Sequence, residues 1–210
     1  MADERIKLEG QDAVDLWQQG KDAWNAWVEA NPVADVIFDE TEFTRFNEVS
    51  FSHFTFPTGS VSFVFVAFGD GHVSFFDTEF GNGEVSFHGA TFGVGEVSFD
   101  GATFGVGRVD FTSTSFGDGL VVFVDTNFGD GDVYFQNATF GDADVTFEDA
   151  QFGDGDVYFR GALFGNGDVS FRKVTFGVGN VAFNQAVFKG SLAIPDPKNT
   201  AFIKSMSFKG

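Results

Sequence analysis

Residues 92–103 read Phe-Gly-Val-Gly-Glu-Val-Ser-Phe-Asp-Gly-Ala-Thr, and this unit decides the fold. Its pattern, Phe-Gly-x-Gly-x-Val-x-Phe-x-x-Ala-x, returns every twelve residues from Phe63 to Phe188, so that phenylalanines are separated by five and seven residues in turn. One unit cannot bury its apolar side alone, whereas stacked copies share a continuous core. The sequence therefore predicts a solenoid.

Each unit contains two short segments that alternate between apolar and polar residues, such as Val97–Phe99 and Ala102–Phe104. This alternation predicts short strands with one buried face. The glycines at the corners between them are expected to serve chain geometry, because glycine tolerates positive φ. A phosphate-binding loop would need a long helix after its glycines, and none follows here. The predicted core ladder comprises Phe87, Phe92, Phe99, Phe104, Phe111, Phe116, Phe123, Phe128, Phe135, Phe140, Phe147 and Phe152.

The size of one coil is left open by the repeat. Only Asp100 and Gly101 separate the strand ending at Phe99 from the one beginning at Ala102. Two residues suit a right-angle turn better than a crossing between sheets about 10 Å apart. We therefore prefer a four-sided coil made of two units over a flat or triangular coil made of one.

The chain outside the repeats suggests two end segments. Residues 11–30 carry the spacing of an amphipathic helix, and that segment contains the three tryptophans of the chain, Trp17, Trp24 and Trp27. We predict that this helix caps the first coil. The predicted organisation is a capping segment over residues 1–35, a solenoid over 36–190, and a tail over 191–210 that forms a second cap or an association element.

The paired small-x-Phe units, with the leader Ala23-Trp24-Asn25-Ala26-Trp27, resemble the pentapeptide-repeat proteins, whose unit is usually written Ala-(Asp/Asn)-Leu-x-x. The resemblance covers nearly the whole chain and implies an all-β fold, a right-handed parallel β-helix with four sides and stacked central residues. The chain departs from that pattern by carrying Phe for Leu, Val for every second Ala, and two extra residues in alternate units.

Composition narrows the classes of function. The chain has no cysteine, which excludes disulfides, thiolate metal sites and a cysteine nucleophile. Its net charge is −19, and residues 46–159 hold eighteen acidic residues against one base, Arg108. Such a surface repels nucleic acid and anionic membranes. Because the sequence shows no apolar leader and no apolar run of membrane length, a cytoplasmic protein is expected. Because the acidic surface repels nucleic acid and membranes, a protein partner is expected.

The candidate interaction surface is acidic. Aspartates recur at two positions of the corners, and the candidate residues are Asp118, Asp130, Asp132, Asp142, Asp144, Asp154 and Asp156. The leading hypothesis is an interaction scaffold with an unnamed partner. The alternative is a DNA mimic, because the resemblance includes quinolone-resistance proteins that occupy the DNA site of DNA gyrase. Calcium binding by the acidic corners and ice binding by an outward threonine row are lesser alternatives.

The sequence gives little support to enzymatic chemistry. Its three histidines, His53, His72 and His88, do not recur in one register, and no serine is accompanied by a recognisable triad. We therefore expect no catalytic residues, no metal site and no cofactor. A homodimer formed through one end of the solenoid is a further expectation from the apolar residues after Lys198.

Overall fold

The computed structural model describes residues 5–194, and this part of the chain is built mainly of short strands. In chain order the elements are β1 (Lys7–Glu9), α1 (Gly10–Gln18), α2 (Lys21–Ala30), β2 (Asp35–Ile37), β3 (Glu48–Ser50), β4 (Val61–Ser62), β5 (Ala67–Gly69), β6 (His72–Ser74), β7 (Val85–Ser86), β8 (Thr91–Phe92), β9 (Val97–Ser98), β10 (Val109–Asp110), β11 (Val121–Val122), β12 (Val133–Tyr134), β13 (Thr139–Phe140), β14 (Val145–Thr146), β15 (Gln151–Phe152), β16 (Val157–Tyr158), β17 (Leu163–Phe164), β18 (Val169–Ser170), β19 (Thr175–Phe176), β20 (Val181–Ala182), β21 (Val187–Phe188) and β22 (Leu192–Ala193).

The strands pair in parallel with partners two sequence units away. Val109 pairs with Val85 on one side and Val133 on the other, a step of 24 residues in each direction. One coil therefore contains two units, as the four-sided arrangement requires, and the twelve-residue coil is excluded. Parallel strands of this kind stack about 4.8 Å apart.

The pairing arranges the strands in four rows, which we call faces I to IV. Face I is the eight-stranded sheet that contains β4, β7 and β10, and face III is the seven-stranded sheet that contains β6, β9 and β11. Face II contains β5, β8, β13, β17 and β21, and face IV contains β15 and β19. Isolated bridges extend faces II and IV, for example Thr91 to Ser115 and Thr103 to Asn127.

Four edges join the faces, and each is named by the faces that it connects. Edges I/II and III/IV are two-residue turns, exemplified by residues 88–89 and 100–101. Edges II/III and IV/I are four-residue corners, exemplified by residues 93–96 and 105–108. The short strand–turn–strand pattern read from the sequence is therefore confirmed.

The core consists of four stacks of phenylalanine rings. Every residue of the predicted core ladder is buried, with no more than 4% of its surface exposed. Phe99 stacks on Phe123 of the next coil with ring centroids 5.1 Å apart, while it meets Phe87 of the opposite face edge-on at 5.4 Å. Offset stacking and edge-to-face contacts are the favoured aromatic geometries.

Glycine is required at the four-residue corners for a different reason from the positive φ that the sequence led us to expect. A methyl group on Gly95 would lie 2.1 Å from the carbonyl oxygen of Gly71, and similar clashes recur in the other four-residue corners. Positive φ belongs chiefly to the second residue of the two-residue turns, where Gly101 has φ 66° and Asp125 has φ 51°. At most Gly-x-Gly corners, glycine is therefore required by the close approach of stacked coils, not by its φ.

The N-terminal segment differs from the single helix predicted over residues 11–30. Two helices form instead, because the chain breaks at Gly20, whose φ is 86°. The sequence also gave no hint of β1, which adds a strand to face I by pairing Lys7 with Asp35. A strand therefore precedes the helices.

Both helices contact the first coil through their tryptophans. The Trp17 Nε1 donates to the carbonyl of Ser50 at 2.8 Å, and its ring meets Phe43 edge-on. The Trp24 Nε1 donates to the carbonyl of Thr55 at 3.0 Å. Trp27 is half-buried against the same core. These contacts bury the apolar sides of the helices against phenylalanines of the solenoid.

The last described strand lies just past the predicted end of the repeats. Leu192 of β22 pairs with Val169 of β18, so face III continues to that point. The tail residues proposed for association, Phe202, Ile203, Met206 and Phe208, lie outside the described residues. Within residues 5–194, neither helix has the length and apolar character needed to cross a membrane.

Candidate acidic interaction surface

The seven candidate aspartates do not form one surface. Strand pairing by 24 residues places Asp118, Asp142 and Asp144 on edge II/III. The same register places the other four on edge IV/I, which is diagonally opposite: Asp130, Asp132, Asp154 and Asp156. A partner with a flat surface would therefore contact one group or the other.

The acidic residues are unevenly distributed around the coil. Edge II/III also carries Asp70, Glu96 and Asp168; edge III/IV carries Asp77, Asp100, Asp125, Glu148 and Asp149; and edge IV/I also carries Glu84. From Phe63 onwards, edge I/II carries no acidic residue, since its positions are held by pairs such as Thr112-Ser113 and Gln136-Asn137. Over the regular coils the solenoid therefore has three edges that carry carboxylates, of which edge III/IV also holds Arg172 and Lys173, and one edge that carries none and holds Arg160.

The corner carboxylates also have a structural role. The Asp132 Oδ1 accepts a hydrogen bond from the backbone N–H of Asp156 at 2.8 Å, one coil further along. Asp144 does the same for the N–H of Asp168, also at 2.8 Å. Carboxylates bind such donors strongly. The recurrent aspartates therefore satisfy corner amides that the short strands leave without a partner, besides supplying negative charge.

Hydrogen bonds of this kind lower the pKa values of two corner aspartates. The backbone N–H and side-chain amide of Asn166 hold the pKa of Asp142 below its ordinary value. The backbone N–H of Asn180 and the hydroxyl of Tyr158 lower the pKa of Asp156 in the same way. Hydrogen bonds to the charged form favour ionisation. Both groups therefore favour the folded state more strongly when ionised.

Asp100, on edge III/IV, shows the opposite shift. Burial, followed by repulsion from Asp125 and Asp77 in the neighbouring coils, raises the pKa of Asp100. The Asp100 carboxylate is therefore disfavoured in the folded chain. Stacking like charges at coil spacing costs stability where no donor offsets the repulsion.

We expect the double variant Asp142→Asn/Asp156→Asn to lose part of the acid sensitivity of folding. An amide oxygen still accepts the backbone hydrogen bond but does not titrate. Because the two folded-state pKa values are lowered, their stabilisation is present above the unfolded pKa of about 4 and is lost as pH falls through the folded values. Urea unfolding between about pH 6 and pH 3 should show a smaller fall in unfolding free energy for the variant.

Asp100→Asn is the matched control of opposite sign. Since the pKa of Asp100 is raised, its unfavourable contribution is absent below the unfolded pKa and grows as pH rises through the folded value. This variant should therefore be more stable than the parent chain near neutral pH and equal to it in acid. The same direction of change for both variants would contradict the assignment.

A cation and two tyrosines occupy face I beside edge IV/I. The Arg108 guanidinium lies over the ring of Tyr134 at 4.3 Å and pairs with the nearly buried carboxylate of Asp110. The ring of Tyr134 stacks on Tyr158 of the next coil at 5.0 Å. The hydroxyls of the two tyrosines donate to Asp132 and Asp156. Face I therefore carries an ordered stack of one guanidinium and two aromatic rings along an acidic edge.

The Tyr158 hydroxyl is fixed by its acceptor. The hydrogen bond to Asp156, with a smaller effect of burial, raises the pKa of Tyr158 to about 12. The phenol therefore stays protonated and keeps donating at neutral pH. Its ring is held at a defined angle beside the carboxylate.

The geometry bears on the lesser alternatives. Among residues 5–194, no three histidine, aspartate or glutamate side chains converge as metal ligands would. The outward row considered for ice binding is divided between faces, since Thr91 pairs with Ser115 on face II and Thr103 with Asn127 on face IV. Neither calcium binding nor ice binding therefore gains geometric support from this part of the chain.

The uneven distribution of acidic residues around the coil is visible in the sequence at a period of 24 residues but not at a period of twelve. From residue 76 to residue 149, two-residue turns that contain a carboxylate, such as Glu148-Asp149, alternate with turns that contain none, such as Gln136-Asn137. Read at a period of 24, this alternation separates edge III/IV from edge I/II. The Arg108 network left a weaker signal, because a single base interrupts a row of acids.

Comparison with protein-family models and with curated protein sequences found no match for this chain. Functional inference therefore depends on the geometry of the chain itself.

Proposed function

We propose that this protein is a non-enzymatic acidic β-solenoid that acts as a scaffold for binding a basic protein surface. The observation that carries the proposal is the stacking of carboxylates in successive coils on three edges, as in Asp118 and Asp142, Asp130 and Asp154, and Asp125 and Asp149. A rigid row of charges attracts basic partners over distance and fixes their orientation. The fourth edge offers no such field.

We also propose that the chain belongs to the pentapeptide-repeat class, that its coil is right-handed, and that the N-terminal helices cap the first coil. Support comes from the 24-residue coil, from the buried pairing of a small residue with phenylalanine, as in Ala102 and Phe104, and from the contacts of Trp17 and Trp24. A cap of this kind shields the first coil of a solenoid. A cytoplasmic location remains a prediction.

Binding through one edge is tested by three double variants that each remove two charges. They are Asp130→Asn/Asp154→Asn on edge IV/I, Asp118→Asn/Asp142→Asn on edge II/III, and Asp100→Asn/Asp125→Asn on edge III/IV. The Asn substitutions at the four-residue corners keep an oxygen for the backbone hydrogen bond. We expect a partner captured by the immobilised protein to be lost with one pair and retained with the other two. Equal loss with all three would indicate only nonspecific charge attraction.

DNA mimicry is the second candidate, and the coil size favours it. Residues 46–159 carry seventeen net negative charges. Over the roughly 23 Å that this stretch spans with 24-residue coils, the density is about one charge per 1.4 Å, close to the value of about one per 1.7 Å in duplex DNA. The chain therefore has the charge density that a competitor for a DNA site needs.

A supercoiling assay with purified DNA gyrase separates the two candidates. A DNA mimic should inhibit supercoiling, and the inhibition should weaken as salt rises, since screening shortens the reach of surface charge. Charge removal on the contacting edge should weaken inhibition more than charge removal elsewhere. Absence of inhibition at low salt would reject the gyrase hypothesis and leave the scaffold proposal standing.

A further inference from the structure

The ring stack on face I ends at Tyr158 with one ring face that the described residues do not cover by another ring or cation. Tyr134 is covered on both sides, by Arg108 at 4.3 Å and by Tyr158 at 5.0 Å. On its other side Tyr158 faces the next coil, where the paired position is Ala182. A methyl group leaves room that a longer side chain would fill.

The chain itself shows what such a ring face binds. The guanidinium of Arg108 stacks on Tyr134 while pairing with Asp110, so this row combines an aromatic face with a carboxylate around a planar cation. Guanidinium groups combine cation–π stacking with directional hydrogen bonds to carboxylates, which ammonium groups do less well. Tyr158 also lies beside a carboxylate, that of Asp156, to which its hydroxyl donates at 2.8 Å, as the hydroxyl of Tyr134 donates to Asp132.

The surroundings favour a cation at this position. The Asp156 carboxylate accepts from Asn180 and Tyr158, and Asp154 lies in the same corner. The neighbouring corner positions in the next coil are Val178 and Asn180, neither of which brings a positive charge. The corner beside the aromatic face therefore carries carboxylates and no base, and the base next along the strand is Arg160, two residues from Tyr158.

We propose that the uncovered face of Tyr158, together with the carboxylate of Asp156, binds an arginine side chain of a basic protein partner. The inference rests on the proposed scaffold function and names the side chain that the scaffold recognises on edge IV/I. Arginine is selected over lysine because its planar group matches the ring and the carboxylate together. The bound guanidinium would extend the existing stack by one member.

Calorimetric titration with hexa-arginine and hexa-lysine peptides of equal length and charge at low salt tests this inference. The parent chain should bind the arginine peptide more tightly. Tyr158→Leu should weaken arginine-peptide binding about two- to fivefold and lysine-peptide binding less than about twofold, in keeping with the strength of exposed cation–π contacts. Tyr158→Phe keeps the ring and should retain most of the arginine preference.

A second variant tests the site without removing a side chain of the stack. Ala182→Arg places a guanidinium beside Tyr158 within the chain and should abolish the preference for the arginine peptide. Ser170→Arg adds the same charge on face III and should leave the preference intact. This pair distinguishes occupation of the site from a change in net charge.

The binding results distinguish failure of the arginine site from failure of the acidic scaffold. If the arginine peptide binds and neither Tyr158→Leu nor Ala182→Arg alters its preference, the arginine site is overturned while the acidic scaffold survives. If neither peptide binds even at low salt, both are overturned. Loss of the preference in Ala182→Arg but not in Ser170→Arg supports the site even if Tyr158→Leu proves unstable.

Discussion

Phe123→Ala should lower the free energy of unfolding by about 3–5 kcal/mol, the range for truncating a fully buried aromatic side chain. The ring of Phe123 is fully buried and stacks on Phe99 at 5.1 Å and Phe147 at 4.8 Å. It also meets Phe111 and Phe135 edge-on across the core. Its removal leaves a cavity between two coils that cannot close, because the backbone ladders hold the coils at fixed spacing. Urea unfolding measures the loss.

Val122→Ala is the matched control for this prediction. Val122, the last residue of β11, directly precedes Phe123 but is only half-buried, on the outward side. Its truncation should cost about 1 kcal/mol or less. Amide hydrogen exchange in Phe123→Ala should rise most in the two adjoining coils, since each coil contacts only its neighbours. An unchanged melting temperature would refute the core assignment.

Gly141→Ala should destabilise the chain by about 1–3 kcal/mol or more, the usual cost of forcing extra atoms into packed structure. A Cβ at this position would lie 1.8 Å from the carbonyl oxygen of Gly117 and 2.4 Å from its carbon. Both contacts are with backbone, so no side chain can move aside. The two coils would have to separate at edge II/III, which strains the parallel ladder beside it.

Ala143→Gly tests the same corner two residues further along. Ala143 occupies the second glycine position of its corner, where its methyl group is accommodated half-buried, although a methyl group at the equivalent Gly95 would lie 2.1 Å from the carbonyl oxygen of Gly71. This substitution should change the unfolding free energy by about 1 kcal/mol or less, mostly through the entropy of the unfolded chain. Thermal melting of the two variants gives the comparison. Equal effects would mean that coil spacing is not what selects glycine at 141.

The N-terminal segment shows which elements a local sequence pattern can predict and which it cannot. The spacing of the tryptophans predicted helix over most of residues 11–30, and helix is found there. The break at Gly20 was not predicted, because whether glycine ends a helix depends on what the flanking turns pack against. The strand Lys7–Glu9 had no signal either, since a three-residue strand forms only when a sheet edge is there to pair with it.

The acidic residues show a different limit. The sequence shows how many acidic residues there are and which repeat positions they hold. Because a coil contains two repeats, however, the same repeat position falls on two opposite edges. Only the pairing of residues 24 apart separates Asp118 and Asp142 from Asp130 and Asp154. The same pairing reveals that their carboxylates accept backbone hydrogen bonds between coils, as Asp154 and Asp142 do from Val178 and Asn166. No local pattern contains that partner.

The periodic phenylalanines by themselves determined that this chain is a solenoid, because a repeating apolar pattern can be buried only by stacking its own copies. They also determined which rings form the core, since the side chains of a strand alternate between its two faces. The tertiary structure alone decided the number of sides in each coil, the edges on which the charges lie and the space left above Tyr158. Those features arise between residues a full coil apart, where close packing and hydrogen bonding act through space and leave no mark on neighbouring residues of the chain.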